Sequence, residues 1–212
     1  MKLYIVDIDG CLNYYPKTKV DFANYYFNLQ RPFRHLFLRF KTLDEIKTRL
    51  TKDAYEKMTS AYRKSNYKHQ ATPNKSLVKM VRYWAKDNDV VIITARSDDG
   101  YMQTRTKRWL RKNQIPFKYV LFTKSKQTML KCFLESGKYE SITMIDDNLN
   151  NLAKCEDMYE ALLEKDNLAK CNFIWVKHKY NKKHRYEISR YSRIKTTTYK
   201  KIDKEAKNGR EI

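Results

Sequence analysis

The chain has 212 residues, 42% of them hydrophobic, which suffices to bury the core of one domain carrying an insertion or a tail. Glycine is scarce, at four residues, which argues against glycine-rich phosphate loops and low-complexity chains. No apolar run is long enough to span a membrane, and the net charge of +21 predicts a polyanionic partner, such as nucleic acid or a nucleotide.

Short apolar runs alternate along the chain with segments of helical periodicity. The runs cover residues 3–8, 90–94, 119–122, 142–145 and 173–176, and the helical segments cover residues 76–86, 102–112, 126–135 and 152–165. Buried parallel strands are short and continuously apolar, and the helices between them cover both faces of the sheet. The pattern therefore predicts an α/β protein with a Rossmann-like parallel sheet.

Two segments do not fit this alternation. Residues 13–75 contain aromatic and amphipathic stretches without a convincing buried strand, and we expect a mostly helical cap inserted after the first strand. Residues 177–212 hold 13 basic and four acidic residues, a net charge of +9, and we expect a flexible or loosely packed basic tail. The core then comprises residues 1–12 and 76–176, and removal of residues 181–212 should leave small-substrate turnover unchanged.

The four cysteines lie far apart in the sequence, at Cys11, Cys132, Cys155 and Cys171, and none forms a CxxC pair. Free thiols are typical of a reducing compartment, so we expect a cytoplasmic protein. Neither a membrane nor a protein partner is predicted.

Polar and charged residues follow each of the first four apolar runs. They are Asp7, Asp9 and Gly10; Thr94 and Arg96; Lys124 and Lys126; and Asp146 and Asp147. In an open parallel sheet, ligands bind at the carboxyl ends of the strands, where these groups should converge. Clustered carboxylates need a hard cation such as Mg²⁺, and a carboxylate can attack phosphorus while a second one transfers the proton. The constellation predicts Mg²⁺-dependent phosphoryl transfer.

Three segments resemble the motifs of the haloacid dehalogenase-like superfamily. YIVDIDGCL, over residues 4–12, resembles its first motif, and IITAR, over residues 92–96, resembles the second. A lysine opening a helix, followed by a strand ending in IDDN at residues 145–148, resembles the third and fourth. Cys11 departs from the Thr or Val usual at its position.

The resemblance implies a role for each matched residue. Asp7 would be the nucleophile and a Mg²⁺ ligand, and Asp9 would be the general acid/base that also binds the metal through its backbone carbonyl. Thr94 would bind phosphoryl oxygens. Asp147 would be the direct metal ligand of the two, and Asp146 would bind the metal through water or orient it. The presence of Asp9 favours a phosphatase over the other branches of the superfamily.

Two assignments stay open between alternatives. Lys126 suits the family's spacing to Asp146, but Lys124 could do the same job. Residues 94–110 are also similar to the phosphatase domain of bacteriophage polynucleotide kinase, which makes Arg96 a candidate phosphate clamp and suggests a phage or viral protein. The chain departs from that family in its longer insertion and in lacking a kinase phosphate loop.

Three functions follow from these features. We expect a phosphatase acting on a polynucleotide 3′ end, in line with the positive charge and the polynucleotide kinase similarity. The alternative is a nucleotidase, because a cap favours small substrates. A third possibility, from another class, is a nucleic-acid-binding protein on an inactive fold, against which the intact motifs argue.

Overall fold

The computed structural model describes residues 1–29, 39–163, 168–178, 180–181 and 188–208. The chain divides into two compact units, one formed by Met1–Leu12 and Pro73–Ile212 and the other by Asn13–Thr72. The first unit contains a six-stranded sheet, and the second is helical.

All strands of the sheet run parallel, in the spatial order β3-β2-β1-β4-β5-β6. They are β1 (Lys2–Val6), β2 (Asp89–Thr94), β3 (Tyr119–Phe122), β4 (Ser141–Asp146), β5 (Lys170–Val176) and β6 (Ile194–Thr197). The predicted Rossmann-like parallel sheet is confirmed, with a sixth strand that the sequence pattern did not reveal. Because β1 lies between β2 and β4, its carboxyl end meets theirs at one edge.

Eight α-helices lie within the described residues. They are α1 (Tyr15–Leu29), α2 (Leu43–Arg49), α3 (Lys52–Lys64), α4 (Lys75–Trp84), α5 (Gly100–Lys112), α6 (Lys126–Glu135), α7 (Leu149–Glu160) and α8 (Tyr199–Asn208). None of these helices is both long and apolar enough to cross a membrane.

The sheet separates two hydrophobic cores, because alternate side chains of a strand point to opposite faces. On one face, Tyr4 and Val6 pack in a core that includes residues of α4, α5 and α8. On the other, Leu3 and Ile5 pack in a core that includes residues of α6 and α7. Tyr4 also stacks on Trp84 of α4, with ring centroids 4.4 Å apart and planes nearly parallel.

The prediction that residues 177–212 form a flexible or loosely packed tail is wrong for residues 194–208. Strand β6 pairs with β5 in parallel, from Phe173 opposite Ile194 to Val176 opposite Thr197. Helix α8 buries Ile202 completely in the core beside α4. An edge strand and a covering helix each need only one apolar face, so a few apolar residues suffice in a segment that is otherwise rich in lysine.

The Asn13–Thr72 unit forms its own small core. Thr42 and Thr51 cap α2 and α3 by accepting hydrogen bonds from backbone N–H groups, which satisfies donors left open at a helix start. Phe22 of α1 packs against the rings of Tyr62 and Tyr67, at 5.4 and 5.1 Å between centroids. These residues belong to a helical insertion, and its role as a cap stays a prediction.

Asp89, the first residue of β2, joins three segments at the edge opposite the strand carboxyl ends. It accepts hydrogen bonds from Lys118 Nζ (2.8 Å), Lys138 Nζ (3.1 Å) and Tyr139 Oη (2.7 Å). Burial alone would raise the pKa of Asp89, but these hydrogen bonds outweigh it and lower the pKa to about 2. The ionised carboxylate therefore stabilises the folded chain.

We expect Asp89→Asn to lower the free energy of unfolding by about 1 kcal/mol at neutral pH, since charge-assisted hydrogen bonds are lost. Because the pKa of Asp89 is lowered on folding, the ionised carboxylate stabilises the fold fully at pH values above the ordinary carboxyl pKa. This stabilisation is lost as the pH falls toward 2. Urea unfolding at several pH values should show the two chains converging in acid. Asp87→Asn, at an exposed position, is the matched control, and an equal loss in both variants would contradict the role of Asp89.

Candidate active site

The carboxyl ends of β1, β2 and β4 bring Asp7, Thr94 and Asp146 to one edge of the sheet. Asp7 directly follows β1, and its N–H donates to the carbonyl of Ile145 at 3.0 Å, which continues the pairing with β4 for one residue. Thr94 ends β2 and Asp146 ends β4. All three side chains belong to buried residues, so the fold fixes their positions before any ligand binds.

Lys126 is the first residue of α6, and its side chain is 2% exposed. Its Nζ donates to Asp7 Oδ1 at 2.6 Å and to Asp146 Oδ2 at 2.7 Å. Burial alone would lower the pKa of this ammonium, but the two carboxylates outweigh it and raise the pKa, so the group stays charged. Lys124 is exposed. The structure thus brings Lys126, and not Lys124, between the two carboxylates.

Asp146 is held by several hydrogen bonds. Besides Lys126, it accepts hydrogen bonds from the N–H of Asn148 at 2.8 Å and from Nδ2 of Asn151 at 3.0 Å. Both of its carboxylate oxygens therefore contact protein donors. This arrangement suits a residue that orients Lys126. The predicted roles of Asp146 at a metal, through water or by orienting it, stay predictions.

Asp7, Asp147 and Cys11 form a cluster in which one ligand atom of each lies within 4.8 Å of the others. Burial raises the pKa of Asp7 to about 7, although Lys126 acts in the opposite direction, and burial raises the pKa of Asp147 well above its usual range. Burial also raises the pKa of the Cys11 thiol, which keeps it neutral. Two buried carboxylates whose ionisation is this costly form an oxygen donor set that fits a hard cation.

Asp9 forms a two-point ion pair with Arg96. The guanidinium donates from Nε to Asp9 Oδ2 at 3.0 Å and from Nη2 to Oδ1 at 2.6 Å, while Nη1 donates to Thr106 Oγ1 at 3.2 Å. The Arg96 side chain is fully buried. A planar fork of this kind fixes the orientation of a carboxylate. Arg96 therefore positions Asp9 in this structure, and its action as a phosphate clamp stays a prediction.

Sequence reasoning missed four residues that reach the same edge from beyond β5, which we call the C-terminal clasp: His178, Tyr180, Asn181 and Tyr199. The Gly10 carbonyl accepts hydrogen bonds from His178 Nε2 (2.6 Å) and Tyr199 Oη (2.8 Å). Burial lowers the pKa of His178, so its ring is neutral and Nε2 carries the donated proton. Extending the inspection of strand ends to the fifth strand would have found His178 and Tyr180.

The clasp also holds Asp147. Its backbone carbonyl accepts hydrogen bonds from Asn181 Nδ2 at 2.8 Å and from Trp175 Nε1 at 3.0 Å, and its Oδ2 accepts one from the hydroxyl of Tyr180. Gly10 has a φ of +90°, and a Cβ there would collide with the Asp147 carboxylate and lie 2.6 Å from Tyr180 Oη. Only glycine permits so close an approach between the first and fourth motifs.

Comparison with known proteins supports the fold. No family model matches the chain, and no curated protein matches it by sequence. A solved structure described as a haloacid dehalogenase-like hydrolase from Burkholderia xenovorans LB400 superposes with a TM-score of 0.53 at 15% identity, covering 97% of this chain and 95% of that one. A haloacid dehalogenase-like family hydrolase from Streptococcus pneumoniae gives 0.55 at 13% identity, covering 94% and 95%.

These two likenesses extend over nearly the full length of both chains in each comparison, and they concern the fold. The narrower similarity to the phage polynucleotide kinase phosphatase stays a prediction. The two structural likenesses, the parallel sheet, and the convergence of Asp7, Asp146 and Lys126 at its carboxyl edge agree with one another. The chain is therefore a protein of the haloacid dehalogenase-like fold.

Proposed function

We propose that the chain is a Mg²⁺-dependent phosphomonoester hydrolase that works through an aspartyl-phosphate on Asp7. The observation that carries the proposal is the fixed ammonium of Lys126 between Asp7 and Asp146, at the edge where Asp9 and Thr94 also lie. A buried cation beside a nucleophilic carboxylate stabilises the negative charge of a phosphoryl group during transfer. This arrangement argues against a nucleic-acid-binding protein without catalysis.

In the first half-reaction, a carboxylate oxygen of Asp7 attacks phosphorus and the bond from phosphorus to the ester oxygen breaks. The leaving alkoxide takes a proton from the carboxyl group of Asp9. Thr94 donates a hydrogen bond from its hydroxyl to a phosphoryl oxygen, and the Lys126 ammonium neutralises developing charge. The products of this step are the free alcohol and an acyl phosphate on Asp7.

In the second half-reaction, the Asp9 carboxylate removes a proton from a water molecule, which attacks phosphorus. The bond between phosphorus and the Asp7 oxygen breaks, inorganic phosphate leaves, and the Asp7 carboxylate is restored. Asp9 thus alternates between acid and base, as one residue can when the attacking water takes the place of the departed alcohol. The two-point contact from Arg96 orients the ionised Asp9 carboxylate, which is the form that acts as base.

The carboxylates of Asp7 and Asp147, with the backbone carbonyl of Asp9, would hold Mg²⁺. A Mg²⁺ ion bound there would neutralise charge on the phosphoryl oxygens. The neutral thiol of Cys11 is a poor ligand for so hard a cation, and Tyr180 holds the Asp147 carboxylate through a hydrogen bond.

For the substrate, we favour a phosphorylated polynucleotide end, of 3′ polarity by the sequence similarity described above. The net charge of +21 supports a polyanion, since the electrostatic part of nucleic-acid binding grows with the number of phosphates contacted. The second candidate is a nucleotidase, and the observation that favours it is the helical Asn13–Thr72 unit, because inserted units of this kind can restrict substrates to small molecules.

The proposed chemistry predicts that the protein hydrolyses an aryl phosphate with Mg²⁺, that chelation abolishes turnover, and that added Mg²⁺ restores it. Asp147→Asn should raise the Mg²⁺ requirement at least about tenfold or abolish turnover, since one charged ligand is lost. Direct Mn²⁺ binding, followed by electron spin resonance, should weaken in parallel. Asp157→Asn, at an exposed position of α7, is the matched control. Full turnover in excess chelator would remove the metal from the mechanism.

The same assay separates the substrate candidates. Phosphate release should be compared among 3′-phosphorylated oligonucleotide, 5′-phosphorylated oligonucleotide and mononucleotides at equal concentration of phosphoester. A polynucleotide 3′-phosphatase should prefer the first by kcat/KM, and a nucleotidase should prefer the last. Oligonucleotide binding without hydrolysis of any phosphoester would favour the non-catalytic alternative.

A further inference from the structure

Two helices of the sheet-containing unit, α4 and α5, carry basic residues and no acidic ones. Residues 75–86 and 100–112, which contain α4 and α5, include no acidic residue. Their nine basic residues are Lys75, Lys79, Arg82, Lys86, Arg105, Lys107, Arg108, Arg111 and Lys112. We call the surface formed by these nine residues the α4–α5 face. Helices α6 and α7, in the opposite core, carry three basic and four acidic residues.

The cations of this face point to solvent because the apolar residues of both helices are buried. Leu77, Val81 and Trp84 of α4, and Trp109 and Leu110 of α5, lie in one core. Seven of the nine basic residues are exposed, and Arg105 and Lys107 are half-buried. A surface that carries many cations and no acidic residue on its own helices attracts polyanions, although Asp203 of α8 contacts Ser76 of α4.

A cavity of about 370 Å³ lies where α4 approaches the end of α5. Three cations line it, Lys75, Arg82 and Lys112, and none of its other lining residues is acidic. The Arg82 guanidinium is fixed there, donating from Nε to the Gln114 carbonyl at 2.9 Å and from Nη2 to the Asn113 carbonyl at 2.8 Å. The volume and the charge suit a phosphate or sugar-phosphate unit.

Two exposed tyrosines stand on the same helices. Tyr83 of α4 is 55% exposed and Tyr101 of α5 is 51% exposed, and the Arg105 guanidinium lies 4.7 Å from the Tyr101 ring centroid. Aromatic rings interleaved with cations are typical of surfaces that bind single-stranded nucleic acid, since bases stack on the rings while cations contact phosphates. Tyr101 lies in the first turn of α5, seven residues after β2 ends at Thr94, beside the proposed catalytic groups.

We propose that the α4–α5 face binds the backbone of single-stranded nucleic acid and leads its phosphorylated end to Asp7. This inference rests on the proposed function for its catalytic consequence, whereas the binding itself can be measured without turnover. The proposal places nucleic-acid binding on one defined surface. The net charge of +21 alone would predict only a general attraction to polyanions.

The test compares two triple variants that remove the same charge. The face variant combines Lys79→Gln, Arg108→Gln and Arg111→Gln, and the control combines Lys131→Gln, Lys154→Gln and Lys170→Gln, all at exposed positions. Fluorescence anisotropy with a labelled single-stranded oligonucleotide is recorded over a range of salt concentrations. The face variant should bind about tenfold or more weakly, and its log–log salt slope should fall by about 2, since each phosphate contact on a single strand contributes about 0.7.

The control variant should keep the wild-type affinity and slope, and both variants should keep wild-type turnover of an aryl phosphate. An equal loss of oligonucleotide affinity in the two variants, or no loss in the face variant, would overturn the proposal. Anionic phosphatidylserine vesicles provide a further arm, and loss of vesicle binding alone in the face variant would assign the face to a membrane surface instead. If the wild-type chain binds the oligonucleotide through this face but hydrolyses no phosphoester, the proposed function fails and the binding surface stands.

Discussion

Asp7→Asn should lower the turnover of an aryl phosphate at least about 10³-fold while leaving the thermal unfolding midpoint unchanged or slightly higher. The amide cannot attack phosphorus, and loss of a nucleophile costs orders of magnitude in kcat. Stability should not suffer, because burial already raises the pKa of Asp7 to about 7, so the folded chain tolerates a neutral group there. An asparagine also keeps an oxygen that can accept the hydrogen bond from Lys126.

Two measurements make this result specific to covalent catalysis. Acid-quenched wild-type protein should yield a phosphorylated peptide containing Asp7, and the variant should not. Asp157→Asn, which removes the same charge from an exposed position, should keep wild-type turnover. Substantial residual activity in a clean preparation of Asp7→Asn, or a phosphorylated peptide from another region, would reject Asp7 as the nucleophile.

The parts of the fold predicted from sequence are those that depend on local pattern. Each of the five apolar runs overlaps a strand. Four of these strands are largely buried and need continuous apolar residues, whereas the edge strand β3 is only partly buried. The ends of these strands then bring Asp7, Thr94 and Asp146 together by topology alone. The choice between Lys124 and Lys126 depended on which side chain is buried, a tertiary property that spacing alone did not decide.

The rest of the site depends on contacts between residues far apart in the sequence. Arg96 and Asp9 are 87 positions apart, and nothing local shows whether an arginine at a strand end meets a carboxylate or a substrate phosphate. Tyr199 and Gly10 are 189 positions apart, and the high lysine content of the C-terminal segment obscured its few apolar residues. The composition therefore predicted a flexible tail, whereas this segment adds the last strand of the sheet and brings Tyr199 to the candidate active site.

Removing residues 193–212 should therefore abolish folding or leave a chain of marginal stability, with loss of aryl phosphate turnover. This outcome is opposite to the sequence-based expectation for a basic tail. The deletion removes β6 and α8, and with them the buried side chains of Ile194 and Ile202. Burial of each such side chain contributes about 1.5–3 kcal/mol, a large fraction of the roughly 5–15 kcal/mol by which domains are stable. It also removes Tyr199, which donates to the Gly10 carbonyl beside the catalytic carboxylates.

Point variants in α8 separate packing from charge. Ile202→Ala should lower the free energy of unfolding by about 2–5 kcal/mol, because it leaves a cavity at a fully buried position beside α4. Lys201→Ala, at the adjacent exposed position, removes a charge and should change stability by less than about 0.5 kcal/mol. Urea unfolding followed by circular dichroism measures both. A truncated chain with the wild-type unfolding midpoint and turnover would show that residues 193–212 are dispensable, and equal effects of the two point variants would show that charge, not packing, joins α8 to the core.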